Sequence, residues 1–447
     1  MLPTTADALR RAVEQAQHDW RAPAVAAGLV RDGGLALTHA VGLADVAAGE
    51  APTADTQFRI GSITKTFTAV LVMRQRDAGR LTLDDRLDRH LPGTRHGAVT
   101  IRQLLTHLSG LQREPVGDVW YTLDTPDDAE LLAGFELAEQ VSSPHRRWHY
   151  SNLAFAVLGQ VVARLEGRPW AEVLADDVLG PLEMRRTTLE PHGVRAAGYL
   201  TDPYADLVRP EPDFPTRALA PAAQLWSTVE DLGRWARFVL APPAEVLAAD
   251  TVEEMCHPHV MWDVDGWTLA WGLGFMLLRR GTRIYVGHEG AMPGFLAGLY
   301  VRRGEGTGAV ALTNVTSGAD PGALAADLLT TVLDAEPAGP VRWEPGPPVD
   351  PTAADVLGRW WSEGSEFVLT WTGGRLQARS AAPSARPPAV FVREREDLWR
   401  TESGREAGEL LRVVRDPDGS VVRMHWATYA LTREPRVFGA TREGSPP

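Results

Sequence analysis

The 447 residues, 44% of them hydrophobic, are enough for two or three domains with sizeable cores. A formal charge of −13, with no basic run beyond pairs such as Arg146-Arg147, excludes the footprint of a nucleic-acid or anionic-membrane binder. A single cysteine, Cys256, excludes an intramolecular disulfide, and no run of about 18 apolar residues is present to span a membrane.

The N-terminal residues lack a basic segment followed by an apolar core. Ala6 to Trp20 predicts an amphipathic helix rather than an export signal, so a cytoplasmic protein is expected. Ala24 to Val30 and Leu35 to Val41 read as strands joined by the hairpin signal Arg31-Asp32-Gly33-Gly34. Thr64 to Ala78 reads as a helix, with apolar Phe67, Val70, Leu71 and Val72. From Leu83 to Ala220 the pattern is helices and loops, including a loop (Pro144 to His149) entering a helix from Leu153 to Leu165. Strand signals return after Trp267. Ile284 to Val286 leads into Gly287-His288-Glu289-Gly290, Phe295 to Val301 pairs with Ala309 to Thr313, and Leu324 to Leu333 closes the region as a helix. Strands at both ends of a helical middle predict an α+β domain: one sheet, an inserted α lobe and a site in the crease between them.

Ala335 to Thr352 carries six prolines (Pro337, Pro340, Pro345, Pro347, Pro348 and Pro351), which marks a linker. Beyond it, strands Glu366 to Thr370, Arg375 to Ala378, Leu410 to Val414 and Val421 to Trp426 flank glycine-rich turns and predict a small β-barrel or sandwich. The expected division is a catalytic domain over 1–336, a linker over 337–352 and an all-β domain over 353–447.

Lys65 is the only lysine; the other 44 of the 45 basic residues are arginines. Arginine stays charged, whereas a desolvated lysine can lose its proton and act as a base. Ser62 precedes Lys65 by three residues at a helix start, which places hydroxyl and amine on neighbouring turns, about 5–6 Å apart at Cβ. That is what a serine nucleophile needs from a lysine base. Tyr150-Ser151-Asn152 and His288-Glu289-Gly290 follow in order. Taken singly, Tyr150 reads as a packed aromatic and His288 as a core histidine. No Gly-x-Ser-x-Gly elbow is present. Cys256-His257-Pro258-His259 reads as a loop rather than a metal site, and Cys256 as a small buried side chain.

These segments together resemble the serine β-lactamase and penicillin-binding-protein superfamily, in its class C-like branch, from about Pro23 to Leu333. Phe58 to Lys65 is similar to the nucleophile segment, Leu104 to Leu111 to the "LLTHTSGL" segment and Tyr150-Ser151-Asn152 to Tyr-x-Asn. Leu225 to Leu232 and Trp271 to Phe275 match further recurring segments, and Gly287-His288-Glu289-Gly290 resembles the His-x-Gly form of the third motif. Gly358 to Thr432 resembles the lipocalin-like barrel appended to some members. The resemblance implies a β-lactamase/transpeptidase-like fold, an antiparallel sheet flanked by helices with an α lobe, followed by that barrel.

It also implies roles. Ser62 attacks an acyl carbonyl; Lys65 takes its proton; Tyr150 with Lys65 protonates the leaving group and activates the acceptor; Asn152 binds substrate amide or carbonyl groups. His288 supports the Tyr150 hydroxyl where Lys-Thr-Gly has lysine, and a cationic His288 would help keep Lys65 neutral. The backbone N–H groups of Ser62 and Ala291, beside Gly290, form the oxyanion hole. No cofactor and no metal are implied.

Glu289 stands where Lys-Thr-Gly has a hydroxyl, and an acidic side chain there repels a free carboxylate if it points into the site. With no export signal, the expected donor is an intracellular ester, amide or thioester. Among superfamily members the chain resembles the penicillin-binding-protein-type thioesterases. These imply head-to-tail cyclisation of a peptidyl thioester carried by a peptidyl carrier domain of a nonribosomal peptide synthetase. An intracellular esterase or D-amino-acid-specific peptidase, and a catalytically silent ligand-binding homologue, are the alternatives.

Overall fold

The computed structural model describes residues 1–337, 339, 342–362, 364–384 and 386–436. Pro340 of the proline segment and residues 437–447 of the expected β domain lie outside them. The chain divides into two compact units, Met1–Ala338 and Gly339–Pro447.

In the first unit, helix α1 (Pro3–Trp20) begins three residues before the apolar periodicity does, because proline suits the first helical turn, where its missing N–H goes unused. Strands β1 (Ala24–Arg31) and β2 (Gly34–Gly42) follow. Their two-residue turn has positive φ at both positions, 53° at Asp32 and 77° at Gly33, the combination that matches the right-handed twist of a hairpin. Helix α2 (Thr64–Asp77) is buried at every residue from Thr64 to Met73, so it runs through the interior with no solvent face. Helix α3 (Asn152–Glu166) is capped by Ser151, whose Oγ accepts the Ala154 N–H at 3.0 Å. Helix α4 (Val229–Leu240) is capped in the same way by Thr228.

The remaining strands are β3 (Val260–Met261), β4 (Leu269–Trp271), β5 (Met276–Arg280), β6 (Arg283–Met292), β7 (Phe295–Arg302) and β8 (Thr307–Thr313), and α5 (Pro321–Ala335) closes the unit. The eight strands form one sheet in the order β2-β1-β8-β7-β6-β5-β4-β3, with every neighbouring pair antiparallel.

Both faces of the sheet are covered. Leu9 and Val13 of α1 and Leu324, Leu328 and Leu329 of α5 pack with Val25, Ala27, Tyr285, Tyr300 and Ala311 on one face. Ala26, Val286, Leu299 and Val310 face the larger core, which includes Phe67 of α2, Phe155 of α3 and Trp235 of α4. The period of two along each strand sends alternate residues to these two cores. The helical lobe between Leu83 and Ala220 therefore packs on the α2 side, and the crease lies where α2, α3 and the edge of β6 meet. Short pairs Phe58–Arg59 with Trp226–Ser227 and Tyr199–Thr201 with Val208–Pro210, and strand β3, are absent from the sequence reading. Two or three residues are too few to show an alternation.

The described residues 342–350 carry no helix or strand. The second unit is an eight-stranded antiparallel meander whose strand order follows the sequence, and backbone hydrogen bonds between Trp361 and Thr432 nearly close it into a barrel. Its own core holds Trp360, Leu369, Leu376, Phe391, Trp399, Met424 and Trp426. Four of its strands (Gly358–Ser362, Ala389–Arg395, Leu398–Ser403 and Tyr429–Leu431) carry no strand expectation from the sequence.

Candidate active site

Ser62 lies in a 3₁₀ turn, Gly61–Ile63, that leads directly into α2, so its hydroxyl and the Lys65 amine share one face as the spacing requires. Lys65 is fully buried, and its Nζ lies 3.0 Å from Ser62 Oγ, 2.6 Å from Asn152 Oδ1 and 2.8 Å from the Ala222 carbonyl oxygen. Two of these partners can only accept. A neutral amine has two N–H donors for them and one lone pair left for the serine O–H, which is the arrangement of a base poised on its nucleophile. Burial pushes the Lys65 pKa well below its ordinary value; Glu114 pulls it back and Arg113 lowers it further.

Tyr150 stands at the N-terminal approach to α3, its ring centroid 4.9 Å from Lys65 Nζ. Burial raises its pKa well above the ordinary phenol value, and the Ser62 hydroxyl acts the other way. The phenol is therefore protonated at rest. His107 holds this stretch. Its carbonyl oxygen accepts the His149 N–H at 2.9 Å, its Nδ1 accepts the Ser151 N–H at 3.1 Å, and its ring stacks on Tyr150 at 4.4 Å. Both amides flanking Tyr150 are thus anchored on one residue, which adopts a positive φ of 59° to reach them.

Asn152 is tied to protein groups at both ends of its amide, with one Nδ2 hydrogen left over. Its Oδ1 takes a hydrogen bond from Lys65, and its Nδ2 donates to Glu114 Oε1 at 2.6 Å, so both ends of the amide are engaged with protein groups. It orients the lysine. Arg113 and Glu114, which sequence reasoning missed, enter here. The Arg113 carbonyl oxygen accepts the Asn152 N–H at 2.7 Å, and its guanidinium lies 5.0 Å from the Tyr150 ring. The only signal for them is their place just after Leu104 to Leu111.

His288 corrects one expectation. It is buried on β6, and burial, reinforced by Lys65, drives its pKa down to about 3, so it is neutral and adds no positive charge beside Lys65. Its Nδ1 bonds the Glu289 backbone oxygen, its Nε2 has no hydrogen-bond partner among the described residues, and its ring centroid is 6.5 Å from that of Tyr150. No hydrogen bond joins His288 to the Tyr150 hydroxyl among the described residues. Alternation along β6 turns Glu289 away from His288, toward Tyr300, whose hydroxyl donates to Glu289 Oε1 at 2.8 Å. Burial raises the Glu289 pKa, opposed by that hydrogen bond and assisted by Asp320. Glu289 is among the residues that line the cavity with Ser62.

Gly61 and Gly290 let β6 and the serine turn touch. A Cβ on Gly61 would lie 2.6 Å from the Ala291 nitrogen, and one on Gly290 would lie 1.9 Å from the Ile60 oxygen and 3.1 Å from the Ser62 nitrogen. The Ser62 and Ala291 backbone segments are adjacent for this reason, as a two-amide oxyanion hole requires. A cavity of about 430 Å³ opens here, lined by Ser62, Arg113, Trp148, Tyr150, Trp271 and His288 and, at its rim, by Glu289 and Asp320. Cys256 is buried and accepts a hydrogen bond from Arg303 at 3.3 Å; burial raises its pKa, which suits a packed side chain and not a nucleophile. Among the described residues no group of three or more His, Cys, Asp or Glu is placed to hold a metal ion.

The depressed His288 pKa has a consequence for stability. Between about pH 3 and the unfolded value near 6.5, the unfolded chain binds the extra proton, so stability falls as pH drops through this window. His107, shifted in the same direction by burial and Lys65, adds to the effect. His288 alone is expected to cost about 2–3 kcal/mol between pH 7.5 and 4.5. Denaturant unfolding at the two pH values checks this, and His288→Phe should flatten the difference; an unchanged pH dependence in the variant would refute the assignment.

A family model described as Beta-lactamase matches residues 9–333, and one described as Domain of unknown function (DUF7586) matches residues 349–433. Penicillin-binding protein 4 of Amycolatopsis lactamdurans is 33% identical over 291 residues, 60% of this chain and 74% of its own. D-aminopeptidase of Brucella melitensis biotype 2 is 24% identical over 440 residues, 95% of this chain and 79% of its own. A solved structure of SurE with D-Leu is similar at a TM-score of 0.61 and 26% identity, covering 97% of this chain and 100% of that one. The first unit has the β-lactamase/transpeptidase fold, its antiparallel sheet flanked by helices.

Proposed function

The chain belongs to the beta-lactamase family of serine hydrolases, and from that membership we propose that it is an acyltransferase that closes a peptidyl thioester head to tail through an ester on Ser62. The observation that carries the acyl-enzyme part is the buried, depressed Lys65 amine bonded to Ser62 Oγ with a protonated Tyr150 beside it. Ser62 Oγ adds to the thioester carbonyl while Lys65 takes its proton. The Ser62 and Ala291 amides hold the oxyanion. The C–S bond then breaks, and Tyr150 gives a proton to the departing thiolate.

An amine resolves the ester only if the site holds it close. The acidic rim, Glu289 and Asp320, supports capture of a peptide's N-terminal ammonium; it first loses one proton to the Tyr150/Lys65 pair to become an amine, and as the amine attacks a second proton passes through that pair to Ser62 Oγ while the ester C–O bond breaks. The donor is read as a peptide on a peptidyl carrier domain of a nonribosomal peptide synthetase. The sequential eight-strand plan of the second unit supports the lipocalin-like reading. The D-Leu in the SurE structure and the D-aminopeptidase relative support a D-configured residue at the acyl carbon. That relative also favours the second reading, a D-amino-acid-specific peptidase.

The test is a peptidyl thioester of several residues ending in a D-residue, with a free N-terminus. Macrolactam is expected as the main product, lighter than the linear acid by one water. Acetylating the N-terminus should divert the intermediate to hydrolysis with little change in acylation. Linear acid alone from every free-amine thioester would remove the cyclase reading in favour of the peptidase.

A further inference from the structure

The amide of Asn152 has two ends of nearly the same shape, and only one of them suits a base at Lys65. Lys65 Nζ meets Asn152 Oδ1 at 2.6 Å and the Ala222 carbonyl oxygen at 2.8 Å; these take the two N–H groups of a neutral amine and leave its lone pair for Ser62 Oγ at 3.0 Å. With the amide turned over, Nδ2 would donate to that lone pair instead. The amine would then face Ser62 with an N–H and could not take the serine proton.

What holds the amide is Glu114. Its Oε1 accepts from Asn152 Nδ2 at 2.6 Å, and a carboxylate offers no donor, so the turned-over amide would set oxygen against oxygen. Glu114 itself is placed through the main chain of its segment, not through its carboxylate. The Gln112 carbonyl oxygen accepts the Ser151 hydroxyl at 2.8 Å, and the Arg113 carbonyl oxygen accepts the Asn152 N–H at 2.7 Å and the Leu153 N–H at 3.2 Å. The Glu114 carbonyl oxygen accepts Gln112 Nε2 at 2.8 Å. The segment is thus pinned to the start of α3. Glu114 is not among the described residues that line the cavity, so it reaches the reaction only through Asn152 and through its charge.

Resting on the acyl-enzyme reading of Ser62 above, we propose that Glu114 is a positioning residue, which through Asn152 keeps the Lys65 lone pair turned on Ser62. Its charge has a second effect. Tyr150, His107, His288, Arg113 and Glu114 are the titratable and charged groups that face the amine. Burial keeps Tyr150 protonated and both histidines neutral, which leaves Glu114 and Arg113 as the charges. Burial depresses the Lys65 pKa, Glu114 opposes that, and Arg113 adds a smaller effect of its own. Without the carboxylate charge Arg113 is unopposed, so the amine gives up its proton at lower pH.

The test follows acylation of the full chain by a fluorophosphonate probe across a range of pH, read by intact-protein mass, with a thermal melt for each variant. Glu114→Leu and the smaller Glu114→Ala both remove the acceptor. Each should lower the plateau rate at high pH by about tenfold or more, a part of the ~10²–10⁴ that a positioned base contributes. Glu114→Gln, whose Oε1 still accepts from Nδ2, should recover most of that loss and move the midpoint of the profile to lower pH. In an Asn152→Ala background, Glu114→Leu should lower the plateau no further, because the two side chains act in series. Leucine and alanine plateaus close to wild type, a glutamine variant as slow as either, or an undiminished loss in the Asn152→Ala background overturns the positioning role. A Glu114→Gln midpoint that stays in place or rises overturns the effect of the charge. Labelling of the wild type reports the acyl-enzyme reading by itself, so a labelled wild type with unimpaired Glu114→Leu separates failure of this inference from failure of that reading.

Discussion

Lys65→Arg is expected to lower acylation of Ser62 by ~10³-fold or more, within the range that general-base catalysis contributes. The lysine amine is buried, depressed in pKa and held by two obligate acceptors, Asn152 Oδ1 and the Ala222 carbonyl, with its third position on Ser62 Oγ. Arginine keeps the positive charge but cannot release a proton, so it can satisfy the acceptors and still not take the serine proton. Intact-protein mass after exposure to a fluorophosphonate or β-lactam probe reads the ester directly, and a thermal melt confirms that the variant is folded. If a folded Lys65→Arg protein kept more than a tenth of wild-type acylation, Lys65 would not be the base. In the wild type, acylation should rise with pH as the Lys65 ammonium deprotonates, and its midpoint should lie well below the ordinary lysine value.

Gly290→Ala should be nearly as damaging although it adds one methyl. The new Cβ would meet the Ile60 carbonyl oxygen at 1.9 Å, a clash between two backbones with no flexible side chain to yield. Strand β6 is pinned by its pairing of Gly290 with Ala297 and of Ala291 with Leu296, so the serine turn must move instead. That movement pulls the Ser62 amide out of line with the Ala291 amide. Loss of one oxyanion donor costs about 2.7–4 kcal/mol of barrier, which is ~10²–10³ in rate. Overpacking should also cost about 1–3 kcal/mol of stability. Acylation rate and denaturant midpoint are the two measurements; a variant with half of wild-type acylation would show that the turn does not depend on this contact.

Much of the site was legible because its parts are local in sequence. Ser62 and Lys65 are one helical turn apart, and a single lysine among arginines marks the position where a deprotonatable cation is required. Tyr150 was placed where a loop enters α3, and His288 on a strand, from short patterns. The contact of Asn152 with Glu114 was not legible, because the two are 38 residues apart in sequence and meet only in the fold.

The sequence by itself determined the pairing of Ser62 with Lys65 on one helix face, the hairpin at Asp32-Gly33, the change of texture after the prolines, and the β-lactamase-type order of motifs. Each is a pattern within a few residues, where spacing alone fixes which side chains share a face. Only the tertiary structure decided the protonation states and the second ring of contacts. Burial, which no local pattern reports, lowers Lys65 and makes His288 neutral rather than cationic. Contacts between distant segments bring His107 onto Tyr150, Arg113 and Glu114 to Asn152, and Trp148 to Trp271. The Ser62–Lys65 pair was written in one turn of helix; its electrostatic setting exists only once the sheet, α2 and α3 have closed around it.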